Sequence, residues 1–192
     1  MLQTIAFSIL DGVLYGMLLF MMSSGLTLIF GMMGVLNFAH ASFYMLGAYF
    51  AYTIGLATGF WAALFLAPIL VGAVGAAVER YGLRRVHAYG HVPELLFTFG
   101  LAYVIEELVA LFWGTVPVAY RMPELLSATA FTLFELDYSR FKVFILLISV
   151  VMFGGLWLLL KKTRAGLVIQ GSLSRPDMVG ALGHNVPRVF MM

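Results

Sequence analysis

The side chains of this chain that could do chemistry are few, and three of them lie close together. Asn37, His40 and Ser42 sit within Gly34-Val-Leu-Asn-Phe-Ala-His-Ala-Ser-Phe, an otherwise apolar stretch in which Gly31 and Gly34 weaken any helix just upstream. An amide, an imidazole and a hydroxyl isolated in lipid are costly. The spacing therefore suits a broken or re-entrant backbone that lines a cavity, or else a short external turn, which also needs glycine and polar residues. His40 has the chemistry of a proton switch and equally that of a hydrogen-bonded structural histidine.

Glu106 and Glu107 lie near the end of a later apolar run. Being about 100° apart on a helix, they cannot both face one narrow target. They could line a path, meet a partner or snorkel to the interface. His87 and His91 have the spacing of a metal pair on a helix, but Gly90 and Pro93 crowd them and no third ligand accompanies them, so no metal is expected. The chain has no cysteine, which excludes disulfides, thiolate metal sites and a Cys nucleophile. No Ser/His/Asp order suggests an intramembrane enzyme. No Gly-x-x-x-x-Gly-Lys-Ser/Thr phosphate loop occurs, so ATP has no visible binding motif here. The Met and aromatic residues read as packing groups and interface anchors (Trp61, Tyr81, Trp113, Tyr138), with no cofactor implied.

The elements that position these residues follow from composition. The 192 residues are 62% hydrophobic and 10% charged, with a formal net charge of +2. That leaves too little polar surface for a water-soluble globule and disfavours disorder, coiled coil and nucleic-acid binding. The reading is an all-α integral membrane protein. Lone strands cannot satisfy their backbone in lipid, and no dyad alternation marks a barrel. A crossing needs about 20 apolar residues, and no Asp, Glu, Lys or Arg occurs between Gly12 and Val78. Five spans are expected: Gly12 to Phe30, Ala41 to Leu56, Phe60 to Val78, Pro93 to Phe112 and Val143 to Leu160. The N-terminus lacks a basic region and a cleavage site, so it is not read as a removed signal peptide.

Arg80, Arg84 and Arg85 follow the third span, and Lys161, Lys162, Arg164, Arg175 and Arg188 follow the fifth. Both segments are therefore placed in the cytoplasm, with the N-terminus and the loop from Trp113 to Lys142 outside. A hairpin in place of one span would put the N-terminus inside. The chain divides into a helical membrane region, 1–160, and a cytoplasmic segment, 161–192.

One pattern is specific. Gly25-Leu-Thr-Leu-Ile-Phe-Gly, Gly34-Val-Leu-Asn-Phe-Ala-His and Ser42-Phe-Tyr-Met-Leu-Gly-Ala-Tyr, with Thr163-Arg-Ala-Gly-Leu-Val-Ile-Gln and Met178-Val-Gly-Ala-Leu-Gly-His-Asn-Val-Pro-Arg-Val further on, resemble the LivH-type permeases of ABC importers for branched-chain amino acids. The resemblance runs over nearly the whole chain. It implies a multi-pass subunit of the bacterial inner (plasma) membrane, without ATPase chemistry of its own, that translocates branched-chain or related small amino acids or amides. It also implies partners: ATP-binding cassette subunits, a second homologous permease and an external substrate-binding protein. On this reading Asn37, His40 and Ser42 line the pathway, with Thr27 on the preceding helix.

In such importers a cytoplasmic segment after a span docks on the ATPase. Pro176 can open a short helix, Asp177 lies in its first turn, and Gly183 ends it beside Ala181 and Leu182. The alternative for this segment is an interfacial helix held at the lipid headgroups. Relatives continue with further spans beyond the place where this chain stops, so it is read as an N-terminal portion. Their usual neutral or amide-bearing residues at the positions of Glu106 and Glu107 prevent direct transfer of a substrate role to that pair. A secondary transporter or channel subunit driven by an ion gradient, with His40, Glu106 and Glu107 as a relay, is the alternative function.

Overall fold

The computed structural model describes residues 2–33, 36–120, 122–133, 136–163, 166–167 and 170–171. Among them the chain is helical apart from one small hairpin. The helices are α1 (Leu2–Met33), α2 (His40–Thr58), α3 (Phe60–Val78), α4 (Arg84–His87), α5 (His91–Trp113), α6 (Glu124–Ser127) and α7 (Arg140–Lys162). A π-helical turn, Glu79–Leu83, joins α3 to α4, and β1 (Thr129–Leu133) pairs antiparallel with β2 (Leu136–Ser139). Two compact units result. One takes in the chain to Gly25 and the stretch from Arg121 to Gln170; the other contains Leu26 to Tyr120.

In the first unit, α1 and α7 pack side by side in the same direction. Phe7 meets Tyr138 with ring centroids 6.0 Å apart, and Lys142 Nζ donates to Asp11 Oδ1 at 2.6 Å. Further along, Phe20 meets Phe153 edge-on at 5.4 Å, and Ser149 Oγ lies 3.0 Å from Met21 Sδ. Ser149 is fully buried, and its hydroxyl also donates to the Ile145 carbonyl at 2.8 Å. Ser139 caps α7 by accepting from Phe141 N at 3.2 Å, and Lys161 and Lys162 complement the dipole at its other end.

Among the described residues four helical stretches are long and apolar enough to cross a bilayer: Thr4–Gly31, Phe60–His87, His91–Trp113 and Arg140–Lys162. The expected second span forms the 19-residue helix α2, but His40, Ser42, Tyr44, Tyr49, Tyr52 and Thr53 make it less apolar than those four. The parallel packing of α1 on α7 bears on this helix. Two spans that run the same way are joined by an odd number of crossings, and α2 is needed beside α3 and α5 to supply them. Thiols at Met21→Cys and Ser149→Cys should accordingly be bridged by a short bifunctional reagent. Bridging of Phe7→Cys to Leu160→Cys instead would mean that α1 and α7 run in opposite directions.

Span three forms α3 with the expected bounds, Phe60–Val78, and helical hydrogen bonding continues past it through the π turn to His87, carrying Arg80, Arg84 and Arg85 on helix. Two expectations need correction. The segment after Trp113 is not a plain loop. The alternation in Thr129-Ala-Phe-Thr-Leu and Leu136-Asp-Tyr-Ser forms a ladder, with Thr132 Oγ1 donating to Asp137 Oδ1 at 2.9 Å. Tyr138 is not an exposed interface anchor. It is 4% exposed, stacked on Phe131 at 5.2 Å and covered by the Lys142 ammonium 5.2 Å from its centroid. Burial raises its phenol above the ordinary tyrosine range, with Asp11 adding to the rise and Lys142 opposing it.

Candidate functional site

The second unit holds the break expected before α2. Helix α1 ends at Met33, and Leu36 and Asn37 are non-helical before a turn at Phe38 and Ala39. Asn37 organises this turn. Its Oδ1 accepts from Ala39 N at 3.0 Å and its carbonyl from His40 N at 3.2 Å, the local bonding that suits Asn to turns. Ala39 is fully buried, so the Asn37 side chain satisfies a backbone donor that water cannot reach.

The break is also tied across the unit. Phe38 N donates to Thr98 Oγ1 on α5 at 3.3 Å, and Thr98, 1% exposed, donates in turn to the Leu95 carbonyl at 3.0 Å. Phe38 meets Phe99 edge-on at 6.0 Å. Of the residues expected to line a pathway, Asn37 and His40 are brought together in this turn, with Ser42 half-buried in the first turn of α2. Thr27 stands apart, exposed on α1.

A second polar group occupies the same face of α5 and was not singled out from the sequence. Glu94 is 1% exposed, and its Oε2 lies 3.2 Å from His87 Nδ1 at the end of α4. Its Oε1 is buried without a hydrogen-bond partner among the described residues. A carboxylate opening an apolar span one turn beyond a histidine-bearing segment was the signal available, and it was read merely as the start of a span. His87 and His91 do not form an i, i+4 pair on one helix. The turn through Ala88 and Tyr89 to Gly90, at φ 98°, separates α4 from α5. No group of three or more His, Cys, Asp or Glu residues suited to a metal occurs among the described residues.

An apolar cavity of about 470 Å³ lies elsewhere, at the α2–α3 hairpin. Tyr49, Tyr52, Phe60, Leu64, Pro117 and Tyr120 are among its walls, and none of the expected pathway residues reaches it. Its size falls within the usual range for small-molecule sites. Trp113 closes nearby packing, donating from Nε1 to Thr53 Oγ1 at 2.8 Å and lying 5.3 Å from the Tyr49 ring. Glu106 and Glu107 are both exposed on α5, whereas Ile105 and Val109 turn inward. The expected ATPase-docking residues Pro176, Asp177, Ala181, Leu182 and Gly183 lie outside the described residues.

Comparisons with known proteins agree with a helical membrane protein. Residues 8–192 match the family described as branched-chain amino acid transport system / permease component. The chain is 25% identical over 196 residues to the high-affinity branched-chain amino acid transport system permease protein LivH of Escherichia coli, covering 95% of this chain and 63% of that protein. It is 25% identical to BraD, the corresponding permease protein of Pseudomonas aeruginosa, over 96% of this chain and 64% of the relative. A probable branched-chain amino acid transport permease protein of Methanocaldococcus jannaschii is 30% identical, over 94% of this chain and 59% of its own length. No solved structure matches at a significant level. The chain thus spans a little under two thirds of the length of these relatives. Apolar helices of spanning length and a match across residues 8–192 identify the chain as a multi-pass inner (plasma) membrane protein that belongs to the branched-chain amino acid permease family.

Proposed function

We propose that this chain supplies part of the membrane pathway of an ATP-driven importer for branched-chain amino acids or related small amino acids and amides. The observation that supports this reading is the family match over residues 8–192, within which the uncharged break at Asn37 to Ser42 falls. The cavity at the α2–α3 hairpin, whose walls among the described residues are aromatic and aliphatic, favours aliphatic cargo over charged cargo. The chain performs no covalent chemistry. ATP-binding cassette subunits drive it, a second homologous permease completes the passage and an external binding protein delivers the substrate.

Within this reading the membrane region is 1–160 and the cytoplasmic segment is 161–192. Thr27, Asn37, His40 and Ser42 border the path. Pro176, Asp177, Ala181, Leu182 and Gly183 form the element that engages the ATPase. A compact contact of small residues would let that element move as a lever with the motor. Gly183→Glu should therefore leave ATP hydrolysis by the copurified complex running while uptake falls. Uptake and hydrolysis that stay coupled in this variant would remove the segment from the coupling role.

A further inference from the structure

Glu94 is the most deeply buried ionisable group among the described residues, and transport chemistry has no use for it. The start of α5, where the dipole is positive, favours a carboxylate. Among the described residues one of its oxygens nevertheless has no partner, and the other meets His87, whose side chain is 53% exposed. A buried polar atom left unpaired is expensive, so such a group is held only by what surrounds it.

The surroundings form a jointed hairpin. The π-helical turn Glu79–Leu83 is an arrangement that recurs at functional bends in helices. Gly90, at φ 98°, gives α5 a backbone joint that a residue with a Cβ would resist. Glu79 on this hairpin lies within electrostatic reach of Glu94, His87 and Arg84. The other helix packed on α5 is α2, which carries no Asp, Glu, Lys or Arg; its titratable groups are His40, Tyr44, Tyr49 and Tyr52.

Thr98 lies one turn further along the same face of α5 and holds the Phe38 amide of the α1–α2 break. We infer that the Glu94 and His87 contact is a releasable latch: by fixing the first turn of α5, it sets how firmly Thr98 holds the break at Asn37 and His40. Glu94 and His87 are positioning residues in this scheme. The latch is a property of the folded chain in its membrane and does not depend on what the chain transports.

The chain has no cysteine, so an introduced thiol reports cleanly. Leu36 is 45% exposed beside the break. In membranes carrying Leu36→Cys, the rate of thiol modification by a small reagent measures opening of the break. Adding Glu94→Gln should raise that rate about tenfold, the scale set by losing a hydrogen bond to a charged group. Thr98→Val should raise it similarly. His87→Ala changes an exposed residue and leaves the core of α5 intact; it should accelerate modification to the same extent as Glu94→Gln, and the two changes together should add nothing further, because they remove one contact. A Glu94→Gln rate equal to the parent, or effects of Glu94→Gln and His87→Ala that multiply, would overturn the latch.

Discussion

Alanine at both Asn37 and His40 should lower substrate uptake about tenfold or more while the protein still inserts and assembles. The Asn37 carboxamide satisfies the Ala39 amide, which is fully buried. Leaving such a donor unpaired costs about 1–3 kcal/mol, and each 1.4 kcal/mol shifts a conformational equilibrium about tenfold. The two helices that flank the break make their own backbone hydrogen bonds, so the loss should be local. The break then populates open arrangements in which the side chains meant to border the path no longer converge. Asn37→Asp keeps an oxygen that can accept from Ala39 N and should retain more uptake than Asn37→Ala. Wild-type uptake in the double alanine variant would remove Asn37 and His40 from the pathway, whatever the fate of the rest of the chain.

Gly82→Val should be the most destabilising single change on the hairpin formed by the π turn, α4 and the start of α5, by about 1–3 kcal/mol, the usual cost of overpacking. A Cβ at Gly82 would run into the ring of Phe97 on α5. Adding Phe97→Ala should return part of the loss, since the collision is with one side chain. The readout is thermal unfolding in detergent, with the double variant compared with Phe97→Ala alone. A cost of Gly82→Val as large in the Phe97→Ala background as in the parent would show that the collision with Phe97 is not the cause. The same close approach explains how α5 and the end of α3 bring Glu94 beside His87.

Much of this organisation was legible in the sequence, because in a membrane the penalty for an unpaired polar group is large enough to leave a visible pattern. The uncharged run after Gly12 located α1 to α3, and Gly31 with Asn37 marked the break. The three spans expected between the first and the last agree with the parallel contacts of Asp11 with Lys142 and Met21 with Ser149. What stayed hidden depends on contacts between distant residues. Glu94 reads locally as an ordinary acidic group at the start of a helix, and only packing reveals that it is 1% exposed. Thr98 looks like any threonine in an apolar helix until the Phe38 amide is seen on it.

Two further features escaped for other reasons. The spacing of His87 and His91 suggests a shared helix face, and a single residue at positive φ, Gly90, removes it. The hairpin at Thr129–Leu133 and Leu136–Ser139 lies in a stretch of mixed polarity too short to stand out beside spans of more than twenty residues. Fold class and family were thus readable from one sequence. The internal hydrogen bonds that make the break a defined structure were not.

The proposed role in ATP-driven import is tested most directly by reconstituting the chain in liposomes with the ATP-binding cassette subunits and homologous permease proposed for it and following labelled leucine delivered with the proposed binding protein. ATP on the cytoplasmic side should drive accumulation that persists when ionophores collapse every ion gradient. Accumulation driven by a proton or sodium gradient without ATP, and abolished by those ionophores, would contradict the account.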